Sequence, residues 1–418
     1  MKDRMVQGKR LGVAILAVAL AALLLVTACA PAPTAPAGEK TVEVAGIMPL
    51  TGAASGPIQM QLLGFQDYFR YFDEQEAIPG VSIKFLWGDT MMQYAVFASN
   101  YEKSVMRGIP LIFATESIPV EGLKGRFAKD EVVVMGSATG FQDMCYSPGW
   151  RYFISPTLAE QFAVVAEYFK GNWKEARPPR FAFVGMDFTW GYEPQAEGTK
   201  YAQSLGFEVL PPEIVPFIVL DATTQLLRLK EEGADLVYLQ ALPSAVGPVL
   251  RDAERLELLG QMHFAGNPIG MPESVIKMTG VASEGFLMPF TSPWFDETEV
   301  PGIKLMIDNR MKYHNEKVQR DASYRNGWIE AAIACEAIRR TIENVGYDNL
   351  DGAAIKEALD NMKDFDVYGL ASITYKDRPL DHRGITTLAV YEVRDGKEVR
   401  LSDWRESPTL VPEGLIRE

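Results

Sequence analysis

The sequence predicts an α/β protein in which parallel sheets are covered by helices on both faces. From residue 41 onward, short apolar runs alternate with stretches whose apolar side chains recur at helical spacing. This alternation is typical of βαβ units. It occurs once before Pro156 and again after it, so the pattern predicts two doubly wound α/β lobes.

The elements of the first lobe follow from this pattern. A helix face between the first two apolar runs carries Leu62, Phe65, Phe69 and Phe72. Strands are predicted at residues 42–50, 81–89, 109–117 and 131–140. The last two runs continue into small polar residues.

The second lobe begins with a helix start signal. Thr157 and Glu160 have the spacing of a capping box, in which a hydroxyl and a carboxylate each accept a backbone N–H. Strands are predicted at residues 180–186, 207–215 (interrupted), 234–242 and 262–267.

The last third of the chain is organised differently. A strand at 284–295 runs into a loop rich in proline and aromatic residues, and helices follow around 301–316 and 325–344. The tail reads as a hairpin turning at Asp395 and Gly396. These elements could close the structure by crossing back between the lobes.

The N-terminus predicts export. Four basic residues precede residues 11–28, a run of eighteen residues without a charge. A transmembrane helix is the alternative, but the run is at the short end of the roughly 17–25 residues that a bilayer requires. Residues 26–29 are similar to the lipobox of bacterial lipoproteins, which implies that Cys29 is acylated and becomes the mature N-terminus. The segment 29–40, rich in alanine and proline, suits an extended linker.

Composition bounds the remaining possibilities. Without residues 1–28 the chain has 390 residues (418 minus 28), enough for two lobes or two unrelated domains. The same removal takes away four basic residues and one acidic residue, so the net charge moves from −14 to −17. Such a chain repels phosphate backbones, and no nucleic-acid partner is expected. Cys335 reads as a buried helix residue and Cys145 lies in a loop-like stretch, so no disulfide scaffold is expected.

Several segments, in their order along the chain, resemble a known family. Residues 46–52 contain Gly46, Pro49, Leu50, Thr51 and Gly52, and the second predicted strand ends in Asp89. Together with residues 101–117, 223–242 and 324–346, they are similar to the branched-chain amino acid (Leu/Ile/Val) binding proteins of ABC transporters. The resemblance spans about residues 42 to 400. It implies a class I periplasmic-binding-protein fold of two Rossmann-like lobes, joined by a three-strand hinge that closes over a ligand.

The resemblance also implies the site. In open α/β sheets, ligands bind beyond the carboxyl ends of parallel strands. Members of the family hold a ligand carboxylate there with hydroxyls and backbone N–H groups. The matching positions of the first lobe are Thr115, Ser117, Ser137, Ala138 and Thr139. The alternative role of these hydroxyls is to cap the helices that follow.

The second lobe offers three further candidates. Trp190, before Gly191, holds the place of an aromatic residue that family members often direct at the ligand, although it could instead pack within the lobe. Gln240 ends a predicted strand, and Asn267 lies where amino-acid binders usually place a carboxylate for the ligand ammonium. The missing charge could come from Glu116 or Asp187. An amide or a carboxylate is therefore an alternative ligand to a hydrophobic amino acid.

The resemblance implies lobe boundaries as well. Lobe 1 is expected to comprise residues 41–156 and about 289–365, and lobe 2 residues 157–288 and about 366–418. The expected function is capture of a small amphipathic ligand for an ABC permease by a monomeric, membrane-anchored protein. A ligand sensor serving a separate membrane receptor is the alternative.

The sequence lacks recognisable catalytic motifs, which argues against an enzyme. Ser137 directly follows Gly136, which does not fit the G-x-S-x-G pattern of a nucleophile elbow. His263, His314 and His382 lie far apart, without the spacing of a metal pair, and His314 and His382 read as surface residues. No cofactor or metal is expected, and an exported hydrolase stays a remote alternative.

Overall fold

Two sheets flanked by helices form the architecture of the protein. The computed structural model describes residues 40–137, 141–317, 319–377 and 380–415. The strands are β1 (Lys40–Met48), β2 (Val81–Asp89), β3 (Leu111–Ala114), β4 (Val133–Gly136), β5 (Arg151–Phe153), β6 (Arg180–Met186), β7 (Glu208–Val209), β8 (Glu213–Val215), β9 (Leu236–Gln240), β10 (His263–Gly266), β11 (Leu287–Phe290), β12 (Phe365–Asp366), β13 (Ser372–Ile373), β14 (Thr387–Arg394), β15 (Lys397–Arg400) and β16 (Arg405–Glu406).

Helices connect most of the parallel strands. The helices are α1 (Ser55–Glu74), α2 (Tyr94–Met106), α3 (Ser117–Gly122), α4 (Lys124–Asp130), α5 (Asp143–Tyr146), α6 (Leu158–Asn172), α7 (Thr189–Tyr192), α8 (Gln195–Ser204), α9 (Thr223–Glu231), α10 (Pro243–Arg255), α11 (Glu273–Thr279), α12 (Pro301–His314), α13 (Ala322–Val345) and α14 (Gly352–Asp360).

The first sheet is entirely parallel. Its strand order is β2-β1-β3-β4-β5, and we refer to this sheet with its helices as lobe 1. The order places β1 inside the sheet, so that the loops after β1, β3 and β4 leave from one edge side by side. The central strands β3 and β4 are fully buried, as expected for a parallel sheet covered on both faces.

The second sheet combines parallel and antiparallel strands, and we refer to it with its helices as lobe 2. Its main order is β15-β14-β11-β10-β9-β6-β7, with β8 paired to β6 and β16 paired to β14. The strands from β6 to β11 are parallel, whereas β14 runs antiparallel to β11 and turns into β15 through the predicted Asp395–Gly396 hairpin.

The predicted fold class is therefore confirmed: two doubly wound α/β lobes are present. The capping box of Thr157 and Glu160 is present at the start of α6. The strands predicted at 109–117 and 131–140 are shorter than expected, because β3 ends at Ala114 and β4 at Gly136. The small polar residues that follow leave the sheet as loops.

The chain passes between the sheets at three places. The crossings follow β5, follow β11 and precede β14. The first and third run side by side, since Gly384 N donates to Phe153 O (2.7 Å) and Ile385 N donates to Ile154 O (2.9 Å). These hydrogen bonds satisfy backbone groups that would otherwise be buried without partners.

His382 lies in the third crossing, and its predicted surface position is wrong. Its side chain is buried, its Nδ1 lies 2.7 Å from Arg151 O, and its ring stacks on Tyr152 at 4.1 Å between centroids. The polar sequence around it resembles a surface loop, but the segment is covered because it connects the two lobes.

The two cysteines of the described chain are buried and free. Cys335 lies in α13 and is buried, as predicted. Cys145 lies in the short helix α5, where a loop was expected.

Helices α1 and α13 pack unusually closely in lobe 1. A Cβ atom at Gly64 would lie 2.1 Å from Tyr324 O, and one at Gly327 would lie 2.2 Å from Gln61 O. Each glycine thus admits the backbone of the facing helix. The close approach brings Gln61 of α1 within hydrogen-bond distance of Glu330 of α13.

Gly64→Ala tests this contact. The added methyl group must displace a backbone carbonyl, so we expect a loss of about 3 kcal/mol in the free energy of unfolding, measured by urea denaturation. Gly171→Ala is the matched control, because a Cβ atom there meets nothing within 4 Å. That variant should be unchanged or slightly more stable. Equal stability of the two variants would contradict the close-contact account.

Candidate functional site

A cleft of about 280 Å³ lies where the two sheets face each other. Its walls come from the loops after β1, β2, β3 and β4 of lobe 1, from the loops after β6, β9 and β10 of lobe 2, and from the starts of α1 and α13. The lining residues are Pro49, Ala54, Pro57, Ile58, Gln61, Met92, Tyr94, Thr115, Glu116, Ser117, Ile118, Pro119, Ser137, Phe188, Thr189, Trp190, Leu242, Ile269 and Ser323.

Most polar groups of the cleft belong to lobe 1. Thr115 and Ser117 follow β3, and Ser137 follows β4, so three of the predicted site residues lie on one wall. Thr115 Oγ1 is buried and has no hydrogen-bond partner among the described residues. Ala138 and Thr139 lie outside the described residues.

The end of β2 holds the loops of this wall in place. The Asp89 carboxylate accepts hydrogen bonds from Leu50 N (2.9 Å), Thr51 Oγ1 (2.6 Å) and Met91 N (2.9 Å). Burial raises the pKa of Asp89, but these hydrogen bonds outweigh it and hold the pKa below its usual value. The next residue, Thr90, donates to Glu116 Oε2 at 2.5 Å. The loops after β1 and β3 are thus both tied to the end of β2.

A buried acid lies behind the polar wall. Glu330 is fully buried, and its Oε1 accepts a hydrogen bond from Gln61 Nε2 at 2.7 Å. The same nitrogen lies 3.4 Å from Ser137 Oγ. Burial raises the pKa of Glu330 to about 8, although hydrogen bonds from Gln61 and Ser137 lower it in part. The carboxyl is therefore mostly protonated at neutral pH.

The lobe 2 wall is predominantly apolar. Trp190 and Phe188 stack with centroids 5.8 Å apart, and Phe188 packs on Phe217 at 4.8 Å. Gly191 permits this arrangement, because a Cβ atom there would lie 2.0 Å from Met186 O. The Trp190–Gly191 pair thus folds back on the end of β6 with the indole at the cleft.

Gln240 and Asn267 lie apart from the cleft lining. Gln240 is fully buried at the end of β9, and both of its side-chain polar atoms lack partners among the described residues. Asn267 Nδ2 donates to Gln161 Oε1 (2.9 Å), while its Oδ1 accepts from Ile269 N (3.0 Å). Asn267 therefore shapes the turn that brings Ile269 to the cleft.

Several residues of the cleft lining, and Glu330 behind it, were not predicted from the sequence. Gln61 and Glu330 had a detectable signal, because each is a polar residue within an apolar helix face. Phe188, Leu242 and Ile269 had none, since an apolar residue after a strand reads equally well as core. Met92 and Tyr94 lie just after β2 and are exposed, and no local pattern marks them as part of a site.

The groups that line the cleft can bind a solute noncovalently. Its hydroxyl and amide groups can exchange hydrogen bonds with a polar head, while its aromatic and aliphatic side chains can cover an apolar body. Within the described ranges, no group of three or more His, Cys, Asp or Glu side chains is arranged to hold a metal ion. Every described helix is too short or too polar to cross a membrane.

Comparison with known proteins agrees with this geometry. Residues 41–398 match the family model described as periplasmic binding protein. The chain belongs to the periplasmic binding protein family. No curated protein sequence matches the chain.

Solved structures of periplasmic binding proteins share its fold. A branched-chain amino acid ABC transporter protein from Thermus thermophilus with bound valine has a TM-score of 0.81 at 24% identity, covering 88% of this chain and 97% of that one. A fatty acid ABC transporter substrate-binding protein from Thermomonospora curvata has a TM-score of 0.78 at 17% identity, covering 90% and 96%. A leucine-binding protein from Thermotoga maritima has a TM-score of 0.71 at 16% identity, covering 86% and 98%.

Glu330→Gln tests the buried acid through the pH dependence of stability. The folded chain keeps the Glu330 proton up to about pH 8, whereas the unfolded chain releases it near pH 4.5, the ordinary value for a glutamate in water. Its contribution to stability is therefore complete below pH 4.5 and lost as the pH rises through 8. Within that window the free energy of unfolding falls by up to about 1.4 kcal/mol per pH unit.

The glutamine variant lacks this dependence, so we expect its stability relative to the wild type to rise between pH 5 and pH 8, measured by urea denaturation. Glu336→Gln on the same helix is the control, because hydrogen bonds from Arg339 and Arg340 outweigh burial and lower the pKa of Glu336. Parallel curves for the wild type and Glu330→Gln would contradict the raised pKa.

Proposed function

We propose that the protein is the extracytoplasmic solute-binding component of an ABC importer. It captures a small amphipathic ligand in the cleft and delivers it to a membrane permease. The ligand is a hydrophobic amino acid, such as a branched-chain one, or a related amide or carboxylate. The protein binds this ligand without transforming it.

The division of the cleft walls carries this proposal. Lobe 1 offers Thr115, Ser117 and Ser137 to a polar head, and lobe 2 offers Phe188 and Trp190 to an apolar body. A volume of about 280 Å³ suits a compact solute. Because the two walls belong to different lobes, hinge closure would engage both ends of such a ligand at once.

The structural neighbours support a transport role. The Thermus structure is named with bound valine, the Thermotoga protein as leucine-binding and the Thermomonospora protein as part of a fatty acid transporter. All three ligand types combine a polar head with an apolar body. The neighbours thus support an amphipathic ligand, but they do not single out one compound.

Membrane anchoring completes the proposal. Cys29, acylated at the mature N-terminus, would retain the protein at the membrane, and the linker through residue 40 would give the lobes reach. Cys29 lies outside the described residues. Ligand binding would shift the population from the open to the closed form, and the closed form would then dock on the permease.

Trp190→Ala tests the apolar wall. Loss of the indole removes apolar area worth about 1.5–3 kcal/mol, so affinity should fall at least tenfold. The measurement is calorimetry with the tightest binder from a thermal-shift panel of hydrophobic amino acids, their amides and aromatic acids. Trp87→Ala is the matched control, since Trp87 is half-exposed and does not line the cleft. Equal affinities for the two variants would place the ligand elsewhere.

Cys29→Ser tests the anchor. Without an acylated cysteine we expect the protein to leave the membrane fraction for the soluble extracytoplasmic fraction, measured by immunoblotting after cell fractionation. Ala30→Ser keeps the cysteine and should remain with the membrane. Retention of Cys29→Ser at the wild-type level would show that another segment holds the protein there.

A further inference from the structure

The cleft contains one charged side chain among its described lining residues, and that side chain is acidic. Glu116 lies directly after β3, between Thr115 and Ser117, which also line the cleft. No arginine, lysine or histidine is present among the described lining residues. Tyr94 and Trp190 contribute aromatic faces to the same space.

Glu116 also differs from two other partly buried acids, Glu336 and Glu121. Glu336 is bonded to Arg339 and Arg340, and Glu121 pairs with both Lys124 and Arg151. Within the described ranges, no cationic group lies within ion-pair distance of Glu116, whose hydrogen-bond partner is the Thr90 hydroxyl. Those two acids have cationic partners, whereas Glu116 faces the cleft without one among the described residues.

This arrangement has an energetic consequence. Withdrawing a carboxylate from water is costly unless a cation or several hydrogen bonds replace the lost hydration. Burial raises the pKa of Glu116, the Thr90 hydrogen bond lowers it in part, and the nearby Asp89 charge raises it further. Closing the cleft over an uncharged or anionic ligand would increase this cost, whereas a cationic group would offset it.

We propose that Glu116 binds a cationic group of the ligand. The ligand is then an amine with a compact apolar body, either a hydrophobic amino acid or the corresponding amine, and a simple fatty acid is excluded. This inference rests on the proposed function of the cleft as the solute site. The cation binds at the Glu116 carboxylate, and Tyr94, which lines the same cleft, adds an aromatic ring of the kind that favours a positive charge.

A ligand that carries only a negative charge fits the cleft poorly. The carboxylate of a fatty acid would enter a cleft where Glu116 is negative and no described cationic side chain compensates. The Gln61 amide cannot readily compensate either, because its Nε2 already donates a hydrogen bond to Glu330 Oε1 at 2.7 Å. A zwitterionic amino acid avoids the conflict, because its ammonium neutralises Glu116 while the hydroxyls of lobe 1 receive its carboxylate.

Two matched series of ligands test the proposal. The first is L-leucine, 3-methylbutylamine and 4-methylpentanoate, and the second is L-phenylalanine, 2-phenylethylamine and 3-phenylpropanoate, with octanoate as a fatty acid. The protein is refolded from denaturant to release any bound solute, and Kd is measured by calorimetry. In at least one series, the amino acid or the amine should bind the wild type at least tenfold more tightly than the matched acid.

Glu116→Gln tests whether the Glu116 carboxylate causes the preference for the amino acid or amine over the acid. The amide keeps the shape and an acceptor for Thr90, so the apo melting temperature should be unchanged. We expect binding of the amino acid or amine to weaken at least tenfold, equivalent to about 1.4 kcal/mol. Asp187→Asn is the matched control: its carboxylate accepts a hydrogen bond from Tyr192 (2.5 Å) and lies apart from the cleft lining. That variant should bind as the wild type does.

The outcomes separate this inference from the proposed function. If the wild type binds the acids as tightly as the amines, the inference is overturned while the cleft remains a solute site. Unchanged amine binding by Glu116→Gln overturns it as well. If no compound in either series binds, the proposed function fails for ligands of this size, and the inference fails with it. The wild-type comparison needs no variant, so it decides the matter even if Glu116→Gln does not fold.

Discussion

The arrangement of the two lobes depends on one buried carboxylate, Glu160. This residue is fully buried at the start of α6, where its Oε2 accepts from Thr157 N (2.9 Å) and pairs with Arg383 Nη1 (2.7 Å) of the third crossing. Its Oε1 accepts from Leu410 N (2.9 Å) and is bonded to the Tyr146 hydroxyl. Removing one partner of such a pair typically costs about 3–5 kcal/mol, because the other charge stays buried. Three other segments of the chain thus contact this single side chain at the junction of the lobes.

The location of the cleft follows from strand order. Parallel strands direct their carboxyl ends to one edge, and the first sheet brings the loops after β1, β3 and β4 together there. The hydrogen bonds of Asp89 and Thr90 then fix two of these loops to the end of β2. Gly64 and Gly327 let α1 approach α13, which places Gln61 behind the same wall. The polar wall therefore depends on strand order and on close helix packing, together with the side-chain hydrogen bonds of Asp89, Thr90 and Gln61.

Local patterns predicted most of the longer elements, although the short strands β5, β12, β13 and β16 were not predicted. Long-range contacts account for the buried polar residues that were missed. Hydrophobic periodicity and the Thr157–Glu160 capping box predicted the strands and helices, because both signals lie within a few neighbouring residues. The family resemblance named Thr115, Ser117, Ser137 and Trp190, all of which line the cleft. His382 was harder, since a polar residue buried by a distant segment looks like a surface residue in sequence. Gln240 was a candidate for the site, but it is buried at the end of β9 apart from the cleft lining. The partnership of Gln61 and Glu330 spans 269 positions, beyond the reach of any local pattern.

The unequal division of the cleft walls has a kinetic consequence. With hydrogen-bonding groups on lobe 1 and the Phe188–Trp190 stack on lobe 2, a solute can meet its polar partners before the lobes approach each other. On the proposed closure, the association rate then depends on the head of the solute and hardly on its body. The body instead sets the dwell time, because the aromatic wall must lift away before release. Solutes that share a head group would arrive equally often, and those with the best-fitting body would stay long enough to be handed on.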